Sequence, residues 1–368
     1  MSVSPPWEER LSRASLRGIA LGLLVGTIGG ALADWAHVPL AWMLGALFLT
    51  MAASLAGAPV NVPTWLRQYF IVLLGLFLGE SFDHLTLAEL ARWPISILAA
   101  ILYVPVAGGV AYLFYRHVAR ESRATAICEA VPGGLTAVVL LSESLGADQR
   151  AVALSQSLRI SIVVLLAPLI AFGFLGLPAP DDSLFEGQKM VDPTGFTLLL
   201  GGSVLAVWTL GRVGLPLPAL VGPIFVSAGL RMTGLVEGAL PHWLIEVALV
   251  VMGASIGSRF AGVALHRWAE VAALTLVGTL ILMAVSLVFA LAISALTGLD
   301  LMAVLLAYAP GGVAEMSLIA LAIDADPGFV AVHHVTRIVF ILVAFPLFAA
   351  WLLQRGARTE AAGKPGSD

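Results

Sequence analysis

The chain has 368 residues, 60% of them hydrophobic and 11% charged, with a mean hydropathy of +0.98. Soluble domains carry about 25% charged residues, so a large soluble globule is excluded and a polytopic, all-α membrane protein is expected. The net charge of −4 is small for this length and implies nothing about nucleic acid, and the single cysteine, Cys128, excludes a disulfide framework or a cysteine-based metal cluster.

Residues 1–15 read as a cytoplasmic N-terminal tail. Arg10, Arg13 and Arg17 precede an apolar run ending near Ala31-Leu32-Ala33, which has the outline of a signal peptide. A counterpart of this run in the second half assigns it to the fold instead. Spans of about 20 apolar residues follow near 16–36, 40–57, 66–82, 93–115, 124–146 and 151–176. The stretch from Leu177 to Thr194 carries Asp181, Asp182, Glu186 and Asp192 and reads as an acidic linker. Six more spans lie near 195–213, 216–234, 243–260, 268–297, 301–323 and 329–353, before a C-terminal tail at 355–368. The domains expected are thus a membrane repeat over 16–176 and a second over 195–354.

The halves align with each other. "VPTWLRQYFIVLLGLFLGESF" matches "LPHWLIEVALVVMGASIGSRF", and "VPGGLTAVVLLSESLGAD" matches "APGGVAEMSLIALAIDAD". Pro63 with Pro241, Pro132 with Pro310, Arg159 with Arg337 and Pro168 with Pro346 share one offset of 178 residues. Gly18 with Gly195 and Gly45 with Gly222 fit 177. Such a register indicates internal duplication.

Duplicated membrane domains are parallel or inverted, and the positive-inside rule discriminates between them. Twelve full spans with a cytoplasmic N-terminus leave twelve Lys/Arg inside and five outside. If both PGG segments are re-entrant, each half has five full spans, and the split becomes fourteen to three. The inverted arrangement is therefore expected, with both termini cytoplasmic in a bacterial inner membrane.

Two apolar segments are interrupted at equivalent places, by Pro132-Gly133-Gly134 and by Pro310-Gly311-Gly312. Proline removes a backbone donor and glycine permits non-helical angles. In lipid, the released backbone groups must be satisfied within protein or by water. Such breaks can simply allow close packing. Two matched copies, each followed 27 residues later by an arginine, favour half-helices whose amide ends converge on a binding site.

Arg159 and Arg337 lie well inside apolar spans, at a cost on the order of 3 kcal/mol, so each needs a carboxylate, a carbonyl or water. Glu129, Glu143 and Glu315 are the acids within reach, and none is duplicated: they align with Ala307, Leu321 and Ala137. One reading makes each arginine a structural lock between its helix and the broken segment. The other has Arg159, Arg337, Glu129, Glu315 and the glycines (133, 134, 311, 312) hold an anionic solute, with Glu315, Glu143 and His334 coupling protons. Ser142, Ser144, Ser155, Gln156, Ser157, Ser317 and Thr336 would then line a hydrated cavity. His333 and His334 point about 100° apart on a helix, which disfavours a shared metal. His334 aligns with Gln156 and lies three residues before Arg337. Glu80 and Asp34 fall near span ends and read as solvated or interfacial.

No Walker A, HExxH or GxSxG motif is present, so no metal or cofactor is expected and transport would run on gradients. "EAVPGGLTAVVLLSESLGADQRAVALSQSLRI" and "AYAPGGVAEMSLIALAIDADPGFVAVHHVTRIVF" resemble the two hallmark segments of the bacterial membrane family with the AbrB duplication domain, a resemblance covering nearly the whole chain. The names transcriptional regulator and ammonia monooxygenase are in use in that family. A regulator would need a basic groove-reading element and a monooxygenase a redox metal or flavin; these residues supply neither. The expectation is a secondary transporter or exporter of a small anionic or polar solute, with H⁺ or Na⁺ as coupling ion and a homodimer as an open option. A membrane sensor acting indirectly on gene expression is the first alternative, and a membrane monooxygenase the second.

Overall fold

The computed structural model describes residues 13–38, 40–84, 91–133, 135–174, 189–215, 217–261, 265–323 and 325–362. The acids at 181, 182 and 186, Gly134 and most of the linker lie outside them. The protein is an all-α polytopic membrane protein: the described residues contain no strand, only an isolated bridge between Met190 and Ala239. Among the described residues, seven helices are long and apolar enough to cross a bilayer: Leu16–Trp35, Trp93–His117, Gln149–Gly173, Pro193–Val213, His242–Phe260, Val271–Thr297 and Pro327–Pro346. Their outer faces are apolar too. Leu98, Leu102, Val106, Val110 and Leu113 form an exposed stripe at near four-residue spacing, and Leu276, Leu280, Leu287 and Leu291 form another. In water such stripes would drive association; in lipid they face their own solvent.

The helices run α1 (Arg13–Trp35), α2 (Ala41–Leu55), α3 (Thr64–Glu80), α4 (Trp93–His117), α5 (Arg123–Ala130), α6 (Leu135–Ser144) and α7 (Gln149–Pro168) in the first half. The second half has α8 (Pro193–Val213), α9 (Pro218–Met232), α10 (His242–Gly257), α11 (Leu265–Thr297), α12 (Leu301–Tyr308), α13 (Val313–Ala322) and α14 (Pro327–Ala362). They gather into two compact units, each drawing on both halves.

The first unit holds α1–α3 and α8–α10, the end of α7 from Val164, and Ser317–Gly328. Its helices meet through glycines in a reciprocal pattern. A Cβ on Gly75 would come within 2.7 Å of the Leu220 carbonyl oxygen, and one on Gly79 equally close to that of Ile224. In the other half, Gly253 abuts the Met43 carbonyl and Gly257 that of Leu47. The glycines pair at an offset of 178 residues and their carbonyl partners at 177, within the one-residue slack of the duplication. Leu40 (φ 53°) and Leu217 (φ 54°), which precede the 15-residue helices α2 and α9, share a left-handed backbone, rare for a bulky residue.

Polar contacts follow the same exchange. The Val62 amide donates to Ser258 Oγ (3.3 Å), and the Leu240 amide to Glu80 Oε1 (3.1 Å). Here Glu80 departs from its reading as a solvated span-end acid. It forms an ion pair with Arg231 at 2.6 Å, with side-chain exposures of 18% and 6%, and Arg231 also donates to the Gly238 carbonyl (2.6 Å). A turn carbonyl, a buried guanidinium and a backbone amide converge there, and the Glu80 carboxylate answers both donors.

The second unit holds α4–α6, α7 up to Val163, α11 from Ala269, α12, the start of α13, and α14 from Phe329. Both PGG segments fall in it, and each breaks an apolar run into helices of eight and ten residues.

Candidate functional site

Each broken segment starts with a side-chain cap. Ser122 Oγ accepts from the Thr125 amide (3.2 Å) and Asp300 Oδ2 from the Ala303 amide (2.7 Å), satisfying first-turn donors. Each first half-helix stops one residue short of the proline. Val131 (φ −65°, ψ 121°) and Ala309 (φ −52°, ψ 141°) are extended, because a following proline excludes the α region. The last carbonyls of α5 and α12 therefore lose their helical donors among buried residues, where water is scarce.

Arg159 and Arg337 supply those donors. Arg159 Nη1 donates to the Glu129 carbonyl (3.2 Å), and Arg337 Nη1 to those of Tyr308 (2.9 Å) and Ala307 (3.5 Å). Glu129 and Ala307 stand at one offset, three residues before their prolines. Beside each arginine, a second side chain reaches the preceding carbonyl. Gln156 Nε2 donates to Cys128 (2.9 Å) and accepts from Arg159 Nη2 through Oε1. His334 Nε2 lies 2.9 Å from the Leu306 carbonyl, and its Nδ1 lies 3.1 Å from Arg337 Nη2. A carbonyl only accepts and a guanidinium only donates, so His334 is the neutral Nε2–H tautomer. Taking a second proton would cost it the bond to Arg337. The cations at the carboxyl ends of α5 and α12 also complement the negative end of each half-helix.

The predicted residues are distributed unevenly. Glu129 (5% exposed), Arg159, Glu315, His334 and Arg337 are all buried. Glu129 meets Arg159 through its main chain. Glu315 sits in the first turn of α13, and a Cβ on Gly312 would overlap its carboxylate. Gly311 packs on Met316, and Gly133 lies against Arg337. Glu143 is exposed near the end of α6, apart from this buried group. Gly134 lies outside the described residues. Of the cavity-lining candidates, Ser142, Ser155, Gln156, Ser157 and Ser317 are buried, and Ser142 Oγ bonds back to the Val139 carbonyl (2.6 Å).

Tyr103 is a site residue not singled out in the sequence. It is buried in α4, 5.9 Å from the Arg337 guanidinium and stacked on Tyr308 at 5.9 Å. Ser286 Oγ lies 3.0 Å from both Tyr103 Oη and the Tyr308 carbonyl, and Tyr308 Oη donates to the Ser96 carbonyl (2.7 Å). A tyrosine ten residues into an apolar span, in a chain with five, was the available signal. His333 turns away: its ring nitrogens lie 2.7 Å from the Phe329 carbonyl and 2.8 Å from Ser96 Oγ. Among the described residues, no three His, Cys, Asp or Glu side chains gather as a metal would require.

The family model described as "Transition state regulatory protein AbrB" matches residues 42–353. The chain belongs to the AbrB family. Two bacterial relatives share most of its length. One is "Putative regulator AbrB" of Escherichia coli (strain K12), 27% identical over 326 residues, covering 86% of this chain and 91% of the relative. The other is "Uncharacterized protein YhjN" of Bacillus subtilis (strain 168), 25% identical over 369 residues, covering 89% and 91%. In this AbrB-family chain the matched region takes in both helix breaks and both arginines.

Proposed function

We propose that the protein is a secondary transporter or exporter of a small anionic or polar solute, built from two inverted repeats and resident in the bacterial inner membrane with both termini cytoplasmic. One observation carries this reading. Two helices are broken at corresponding places, and each break is closed by a buried arginine and a polar neighbour rather than by leucines. Half-helices of eight and ten residues span about 12 and 15 Å, so their ends meet at mid-membrane depth, where transporters hold their solutes. In this reading Glu315 and Glu129, both buried, answer a coupling H⁺ or Na⁺. The reciprocal glycine contacts support the duplication, and the charge count supports inversion.

Flux into proteoliposomes tests the reading. Uptake of an organic anion driven by a proton or Na⁺ gradient is expected, and Arg337→Gln should lower it by about tenfold or more, equivalent to ~1.4 kcal/mol of binding. Gradient-independent, arginine-insensitive uptake would refute it. The family name keeps a sensor in view; a sensor would bind solute at the same place and move none. Nothing in the donor geometry or among the relatives points to a monooxygenase.

A further inference from the structure

The two breaks differ where the acids differ. At the second, Glu315 is the third residue of α13 and folds back over Gly312 onto its own helix N-terminus, where first-turn amides and the helix dipole favour a carboxylate. The corresponding residue of α6 is Ala137, and the first turn of α6 contains no acid.

What stands at the first break is a cation. Gly133 has φ 130°, and a Cβ there would lie 3.6 Å from Arg337 Nη2 and 3.7 Å from its Nε. Arg337 is 1% exposed, and its Nε has no hydrogen-bond partner among the described residues. Nη2 gives one hydrogen to His334 and keeps another. The Nε–Nη2 edge, the fork that fits a carboxylate in bidentate fashion, thus faces the first break.

A cavity of about 220 Å³ opens beside it, lined by Gly108, Tyr112, Ala130, Pro132, Ile341 and Phe345 among others. Ile341 lies one turn beyond Arg337, with its Cδ1 3.6 Å from the Cβ position of Gly133, so one wall of the slot and the guanidinium edge flank the same glycine. A dry cavity of about 150 Å³ accommodates benzene; this one takes a larger apolar body.

We infer that the first break binds the carboxylate of an amphipathic organic acid on Arg337 and the α6 amides, with its apolar portion in this slot. Glu315 is the built-in counterpart of that carboxylate at the second break. The inference rests on the solute site proposed above and names its ligand class.

Octanoate is the probe, titrated calorimetrically into the full-length protein in nanodiscs of zwitterionic lipid, with acetate and octanamide as controls. One octanoate per chain is expected, with acetate and octanamide each weaker by about tenfold or more. Ala137→Glu, which supplies a tethered carboxylate to the first break, should reduce octanoate binding by a similar factor, and Arg337→Gln likewise. Gly108→Leu, which fills the slot, should weaken octanoate and leave acetate unchanged; it serves if a charge variant does not yield monodisperse protein. Equal binding of octanamide and octanoate would overturn the inference, since the slot would then take an acyl chain of any headgroup, as from a lipid. Undiminished octanoate binding to Ala137→Glu would overturn it too. Octanoate binding without flux would sink transport and keep this assignment; Arg337-dependent flux of other anions without octanoate binding would do the reverse.

Discussion

Arg159 and Arg337 each hold the carbonyl three residues before a proline, so their first task is to close an open helix end. That makes them costly to remove. Arg159→Leu leaves the Glu129 carbonyl and the Gln156 amide oxygen short of a donor, and a loss of about 1–3 kcal/mol is expected, read as a lower midpoint of denaturant unfolding in detergent. The duplicated bonds of Gln156 and His334 predict that Gln156→His is tolerated better than Gln156→Leu, measured the same way. Glu80 sets a second test. Glu80→Ala strands Arg231 in a largely buried place, at about 3–5 kcal/mol. The double change Glu80→Leu with Arg231→Met should recover most of that loss. Its recovery would separate a charge that needs a partner from a pair that stabilises in itself.

Among the helices, the interrupted segments were the legible part. Proline after Val131 and Ala309 dictates an extended residue, and the common offset predicted that both segments would break alike. The glycine alignment was legible as well, but not its purpose: Gly75, Gly79, Gly253 and Gly257 lie where a neighbouring helix backbone approaches. Gly253→Val and Gly75→Val should each destabilise by about 1–3 kcal/mol through overpacking. Gly201→Ala and Gly229→Ala, where a Cβ meets nothing within 4 Å, should gain about 0.5–1 kcal/mol from helix propensity. Thermal unfolding of the four variants side by side checks both signs. Sequence could not show that Gly133 alone of the described break glycines takes a positive φ. Nor could it show that Arg337 of one half would lie against the break of the other. Both depend on contacts between residues some 200 positions apart, which no local pattern encodes. Glu80 was misread for the same reason, since its partner lies 151 residues away.

At the scale of the whole molecule, an AbrB-family membrane fold carries a matched pair of interrupted helices. Inversion of the halves is tested by a reporter fused within the linker between Leu177 and Thr194. A periplasmic signal is expected, and a cytoplasmic one would make the halves parallel. The most direct measurement of the central claim is solid-supported membrane electrophysiology on proteoliposomes, recording currents evoked by a panel of small organic anions. Solute-evoked, gradient-coupled current is expected in the wild type, lowered by about tenfold or more in Arg337→Gln while unfolding still shows a folded protein. Currents indifferent to Arg337→Gln, or none for any anion that the protein demonstrably binds, would contradict it.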